Sequence, residues 1–270
     1  MPKHEAIDGI VIRTRDMGDK NRYLSVLTAE AGRITLLSNG SHSIHSRQMA
    51  VSQLYSYANF EYYRKGSARI LKGGSVLRNF YSLSTDINRM NLAAYLCELT
   101  EELTDEGVEA SEMLRLLLNS LYAIGEEIRP QEQIKGAFEL RAAALSGYAP
   151  DLSGCARCGK SESDPFYLDV MNGALLCTDC RGKANALQRD AVYAEDLRQA
   201  EILSLLSPAV CRAARYCIEA PLERLLSFEL KEAGDLADFA RAAETYILSH
   251  IGHGFASLQF YRQLLEPTKI

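Results

Sequence analysis

Two Cys-x-x-Cys pairs, Cys155-Ala156-Arg157-Cys158 and Cys177-Thr178-Asp179-Cys180, restrict the fold of this chain more than any other stretch. Two thiolates three residues apart on a tight turn occupy two corners of a tetrahedron. A second such pair closes a four-sulfur site of the kind that zinc takes. Eighteen residues, 159–176, separate the pairs, and their composition suits the role. Gly154 and Gly159 flank the first pair and permit tight backbone. Pro165–Val170 reads as a short strand, Asn172-Gly173 predicts a type I′ hairpin turn, and Ala174-Leu175-Leu176 leads back to the second pair. The expectation is a four-cysteine zinc ribbon or knuckle at residues 153–183, with Cys155, Cys158, Cys177 and Cys180 holding one structural Zn2+. Two disulfides or a redox Cys-x-x-Cys are the alternatives. Disulfides require an oxidising compartment, and Met1-Pro2-Lys3-His4-Glu5 runs into a strand-like segment with no apolar signal core. Four sulfurs leave zinc no open position, and no histidine lies between 155 and 180, which argues against hydrolytic zinc.

The other three cysteines, Cys97, Cys211 and Cys217, fall in helix-like patterns and read as buried reduced thiols. No run of eighteen apolar residues is present, so a cytoplasmic, non-membrane protein is expected. The formal net charge of −5 conceals an asymmetry. Residues 1–80 carry twelve Lys+Arg against six Asp+Glu, a balance of +6, and the rest of the chain balances at −11. A basic head on an acidic body implies that the head meets a polyanion.

That head reads as β-structure. Strands are predicted at Ile7–Arg15, Arg22–Ala29, Arg33–Ser38, Leu54–Tyr63 and Ala68–Leu77, with a polar connection over 39–53 that holds one helical turn near Arg47–Val51. Five short strands with a long link between the third and fourth predict a small closed barrel, an OB-fold, at 1–80. Leu54, Ala58, Phe60 and Tyr62 share the core side of the fourth strand, while Tyr55, Tyr57 and Tyr63 face outward. From about residue 84 the period turns helical. Leu92, Tyr95, Leu96, Leu99 and Leu103 make an amphipathic stripe, and Met113–Ile124 and Ile134–Leu145 follow. Beyond the cysteines, helices are predicted over 195–206, from Pro208, from Pro221, over Asp235–Ile251, and as a short tail at 254–265. The fold class is thus α+β and multidomain: an OB-fold barrel at 1–80, a helical domain in two parts (81–152 and 184–270), and the zinc insertion at 153–183.

This arrangement resembles the bacterial recombination mediator family RecO, in its zinc-containing members. Gly9-Ile10-Val11-Ile12-Arg13-Thr14-Arg15 with Gly18-Asp19-Lys20-Asn21-Arg22 is similar to that family's first strand and turn. Leu27–Arg33 is similar to its threonine-to-glycine hairpin, and Phe138-Glu139-Leu140-Arg141 with Gly147–Leu152 leads into the first cysteine pair as it does there. One segment departs. Ser38–Arg47 has a single arginine, with His42 and His45, where family members often carry a basic cluster. The resemblance implies a non-enzymatic protein of DNA repair, nucleoid-associated, that binds single- and double-stranded DNA and anneals complementary strands. With RecR, it helps to load RecA onto DNA coated by single-strand-binding protein, whose acidic C-terminal tail it engages on the helical body. Arg115, Arg129 and Lys135 are candidates for that tail site.

The residues themselves offer no catalytic centre: no Walker A loop, Gly-x-Ser-x-Gly elbow or His-Glu-x-x-His is present. They do offer cations in or beside the predicted strands and turns. The nucleic-acid-binding candidates are Arg13, Arg15, Lys20, Arg22, Arg33, Arg47, Arg64, Lys65, Arg69 and Lys72, with Arg78 beside them. The outward tyrosines are candidates for base stacking. An OB-fold and zinc-ribbon protein that binds RNA in ribosome or tRNA maturation is the alternative.

Overall fold

The structure, a computed structural model, describes residues 4–18, 21–39, 48–182 and 202–265. The chain divides into two compact units, residues 1–128 with 255–270 and residues 129–254. The described strands are β1 (His4–Met17), β2 (Asn21–Thr28), β3 (Gly32–Asn39), β4 (Tyr57–Lys65), β5 (Ala68–Arg78), β6 (Asp151–Cys155), β7 (Phe166–Asp169), β8 (Ala174–Cys177) and β9 (Leu203–Leu206). The described α-helices are α1 (Ile87–Glu102), α2 (Ser111–Gly125), α3 (Gln131–Leu145), α4 (Pro208–Glu219), α5 (Ala233–Ile251) and α6 (Ala256–Leu265). None of them is long and apolar enough to cross a membrane.

In the first unit the strands close in the order β1–β2–β3–β5–β4. Every neighbour is antiparallel except β3 and β5, which meet in parallel at Leu37 and Ile70. This is the OB-fold that the strand count predicted. Alternation builds its interior. Leu24 and Val26, Ile34 and Leu36, Phe60 and Tyr62, and Leu71 converge in one cluster with Val11, Val51 and Ala58. Each large apolar side chain so enclosed contributes about 1.5–3 kcal/mol. A bulge between Val11 and Arg13 shifts the register of β1. Ile10 and Ile12 are buried as well as Val11, and β1 packs beside α1.

The fourth strand starts at Tyr57, not Leu54. Tyr55 has φ +64, its N–H donates to Val11 O, and Val11 N–H donates to Ser56 O. The chain therefore turns where alternation predicted extension. Leu54 is exposed, whereas Tyr55 is buried rather than outward-facing.

The β2–β3 hairpin is docked along its tip. Arg33 N–H donates to Asp105 O, Gly107 N–H to Ala31 O and Ala110 N–H to Ala29 O, so the segment after α1 pairs with the turn. Gly32, at φ +60, makes this approach possible, because a Cβ there would lie 2.1 Å from Asp105 O. Gly32→Ala combines left-handed strain with that clash. We expect it to destabilise the first unit by at least about 1–3 kcal/mol, read as a lower urea midpoint with an unchanged slope.

In the second unit β6–β8–β7–β9 form one sheet. Its buried Leu152, Leu168 and Leu206 pack with Leu140, Val210, Ala214 and Phe239 of the helices around a common residual void. The sheet is part of this unit's core. Three local expectations are corrected here. Residues 203–206 are strand β9, not helix, because they pair with β7 from Phe166↔Leu206 to Asp169↔Leu203. The part of that predicted helix at 195–201 lies outside the described residues. Pro221 opens only a 3-10 turn, Leu222–Arg224. Asn172-Gly173 is not a type I′ turn: Gly173 has φ +60 but Asn172 is not left-handed, and four residues join β7 to β8. Asn172 N–H donates to Asp169 Oδ1, so the aspartate organises the longer turn. Pro208 does open α4 as predicted, with the Ser207 hydroxyl accepting from Val210 N–H.

Candidate metal centre and nucleic-acid interface

Cys155 ends β6, Cys158 lies on the turn that follows, Cys177 ends β8 and Cys180 sits on a helical turn at 178–182. Gly159, at φ +72, closes the first knuckle: its N–H donates to Cys155 O, and Cys155 N–H donates to Lys160 O. All four sulfurs lie within 4.8 Å of one another, and Cys158 Sγ is 3.7 Å from Cys177 Sγ. Four metal–sulfur bonds of about 2.3 Å in a tetrahedron set its edges at about 3.8 Å, so the spacing fits such a centre. Burial raises the Cys155 thiol, but backbone N–H groups of Cys177, Arg157 and Cys158 directed at its sulfur draw it down to about 6. Hydrogen bonds with Cys158 and Cys177 push Cys180 up to about 12. Four thiols this close lose all their protons only around a cation, which is the chemistry of a metal centre. The four cysteines are the one such cluster among the described residues.

The basic candidates separate into two groups. Glu101 of α1 accepts from Arg13 Nη1 at 3.2 Å, Arg33 Nη1 at 3.3 Å and Ser25 Oγ at 3.1 Å. Arg22 is paired with Asp16 at 2.6 Å, Arg64 with Glu5 at 3.1 Å, and Arg69 with Glu106 at 2.6 Å. Arg78 lies over the Tyr122 ring, 4.4 Å from its centroid. By contrast Arg15, Lys65 and Lys72 are exposed and form no ion pair with any described residue. Lys20, Arg47, His42 and His45 lie outside the described residues.

Register assembles a feature that single strands do not reveal. Arg15 pairs with Tyr23, Tyr23 with Leu37, Leu37 with Ile70, Ile70 with Tyr63, and Tyr63 with His4. The row runs across all five strands, and none of its members belongs to the interior cluster. Arg15, Tyr23 and His4 are exposed, and the His4 and Tyr63 rings meet edge-on at 6.3 Å. Tyr63 was among the outward tyrosines read from the sequence; Tyr23 was not. Its signal was present as the polar-side position between Arg22 and the inward Leu24.

Residues 1–80 match the family described as Recombination protein O N terminal, and residues 84–259 match Recombination protein O C terminal. The chain belongs to the RecO family. A DNA repair protein RecO of Acetivibrio thermocellus is 26% identical over 256 residues, covering 95% of each chain. One from Symbiobacterium thermophilum is 29% identical over 235 residues, 82% of this chain and 93% of the relative. One from Alkaliphilus metalliredigens is 31% identical over 175 residues, 65% and 71% respectively. Of Arg115, Arg129 and Lys135, Lys135 is buried. Its side chain is 4% exposed, and Nζ is 3.0 Å from Glu139 Oε1 and 2.8 Å from Glu244 Oε2. Arg129 Nε donates to Phe228 O, and Arg115 is exposed on α2.

Proposed function

We propose that this chain is a non-enzymatic recombination mediator. It binds single- and double-stranded DNA, anneals complementary strands and, with RecR, helps to load RecA onto DNA coated by single-strand-binding protein. The observation that carries this reading, beside family membership, is the exposure of Arg15, Tyr23 and His4 in the row across all five strands, together with the exposed Lys65 of β4 and Lys72 of β5. Arg15, Lys65 and Lys72, exposed and without an ion pair among the described residues, supply phosphate contacts. Tyr23 and Tyr63 supply stacking surfaces, each of which is worth about 1–3 kcal/mol for a base. Backbone contacts on two strands lower their mutual repulsion and raise their local concentration, so pairing proceeds without nucleotide hydrolysis. The cysteine site holds one Zn2+, which braces the second unit and leaves DNA contact to the head.

The test is annealing of complementary oligonucleotides, bare and coated with single-strand-binding protein, over a salt series without nucleotide. Acceleration should fade with salt. Arg15→Ala with Lys72→Ala should lower the salt slope of single-strand binding by about 0.7 for each phosphate that is no longer neutralised. Arg13→Ala and Arg33→Ala should change it less, since Glu101 already holds both side chains. No acceleration by a folded, metal-loaded protein would overturn the mediator reading and favour RNA as the polyanion.

A further inference from the structure

Exposure divides the four clustered cysteines into two pairs. Cys155 and Cys177 are 2% and 1% exposed, and each ends a paired strand. Cys177 N–H donates to Cys155 Sγ at 3.4 Å, which ties these two together. Cys158 is exposed and Cys180 half-buried, and neither belongs to the sheet. Residues 156–162 are all exposed, so no described element covers the turn that carries Cys158. The centre thus has a closed edge made by strands and an open edge made by turns.

That asymmetry has chemical consequences. A metal-bound cysteine sulfur is held as thiolate, the form that attacks oxidants. Access then decides which sulfur is oxidised, and a neighbouring cysteine that resolves the product makes the oxidation reversible. Cys158 meets both conditions, since the other three sulfurs lie within 4.8 Å of its own. The remaining cysteines do not. Cys97, Cys211 and Cys217 are buried, and burial raises all three thiols.

We propose that Cys158 is an oxidation site at which hydrogen peroxide opens the four-sulfur centre, joining Cys158 to Cys180 and releasing the ion. This rests on the reading of the site as one that holds Zn2+. The Cys158 sulfur attacks one peroxide oxygen, the O–O bond breaks, and the departing hydroxide takes a proton from solvent. The Cys180 sulfur then attacks the sulfenic acid on Cys158, an S–S bond forms, and the expelled hydroxide takes a second proton. Two electrons pass from the two sulfurs to one peroxide, which leaves as two waters. Cys180 is the partner because strand pairing fixes Cys155 to Leu175 and Cys177 to Phe166. The two sulfurs that remain hold the ion too weakly to keep it from a chelator, and β6 and β8 lose the link between their ends.

The test uses the full chain as purified. Atomic spectroscopy first establishes one zinc per chain. Hydrogen peroxide is then added in the presence of a colorimetric zinc chelator. The chelator alone should leave the zinc in place, and peroxide should release all of it. The treated chain should be about 2 Da lighter than the zinc-free thiol form, as the loss of two hydrogens requires. Peptide mapping after unfolding and alkylation should find a disulfide between Cys158 and Cys180, with the other five cysteines as free thiols. A dithiol reductant with added Zn2+ should restore the parent mass and zinc content. A chain purified without zinc would overturn the metal reading and this inference together. A zinc-loaded chain that keeps its zinc in peroxide would overturn this inference alone, as would equal release by the chelator without peroxide or a first disulfide between any other two cysteines.

Discussion

Cys155→Ser is expected to abolish metal retention and to loosen the second unit while the DNA affinity proposed for the barrel is unchanged. Metal binding free energy in small zinc domains is about 10–16 kcal/mol and acts as folding free energy. Here the sheet that carries Cys155 and Cys177 also packs Leu152, Leu168 and Leu206 against the helices. Apolar packing therefore shares the task, and we expect a loss on the order of 5 kcal/mol rather than complete unfolding. At about 2–4 °C per kcal/mol, the Tm of this unit falls by about 10–20 °C. Atomic spectroscopy should show zinc falling from one ion per parent chain to near none. Hydrogen exchange should quicken across β6–β9 and leave β1–β5 unchanged. A variant that keeps both its zinc and its Tm would refute the structural role assigned to the cysteines.

The second large effect lies at Lys135. Its ammonium faces both oxygens of Glu139, at 3.0 and 3.1 Å, and Glu244 at 2.8 Å, with Glu139 fully buried. Lys135→Met takes an ammonium away from a buried carboxylate that lies beside a second acidic group, and such losses amount to about 3–5 kcal/mol. Urea unfolding of the second unit should register that deficit. Adding Glu139→Leu to Lys135→Met should recover most of it, since an apolar pair of similar volume is often as stable as the ion pair it replaces. If the double variant is no better than the single one, the deficit comes from lost packing of the lysine stem instead.

Local pattern specified much of this fold. Alternation placed Phe60 and Tyr62 inside the barrel, the stripe from Leu92 to Leu99 placed α1, and the cysteine spacing assembled four sulfurs. The misses share one physical cause, which is dependence on partners distant in the chain. Ile202–Leu206 is a short apolar run that suits helix or strand equally, and pairing with β7 decides it. Tyr55 continues the alternation of β4 in letters, yet its hydrogen bond to Val11 O forces a left-handed turn. The basic head was legible as a charge total. Which of its arginines remain available depended on Glu101, 88 residues from Arg13 and 68 from Arg33. The second unit's buried lysine was equally unreadable, because its letter is that of a surface residue.

Helix α6 lies against α1, although the whole second unit separates them in the chain. For a growing polypeptide this sets an order of completion. The strands of the barrel are all in hand by Arg78, and the second unit is fully synthesised by Gly254. The first unit, begun earliest, stays open along α1 until Ala256–Leu265 emerge. Loss of α6 would therefore injure the unit whose strands were made first, and an inserted unit that fails to fold leaves its host waiting for a helix that arrives late.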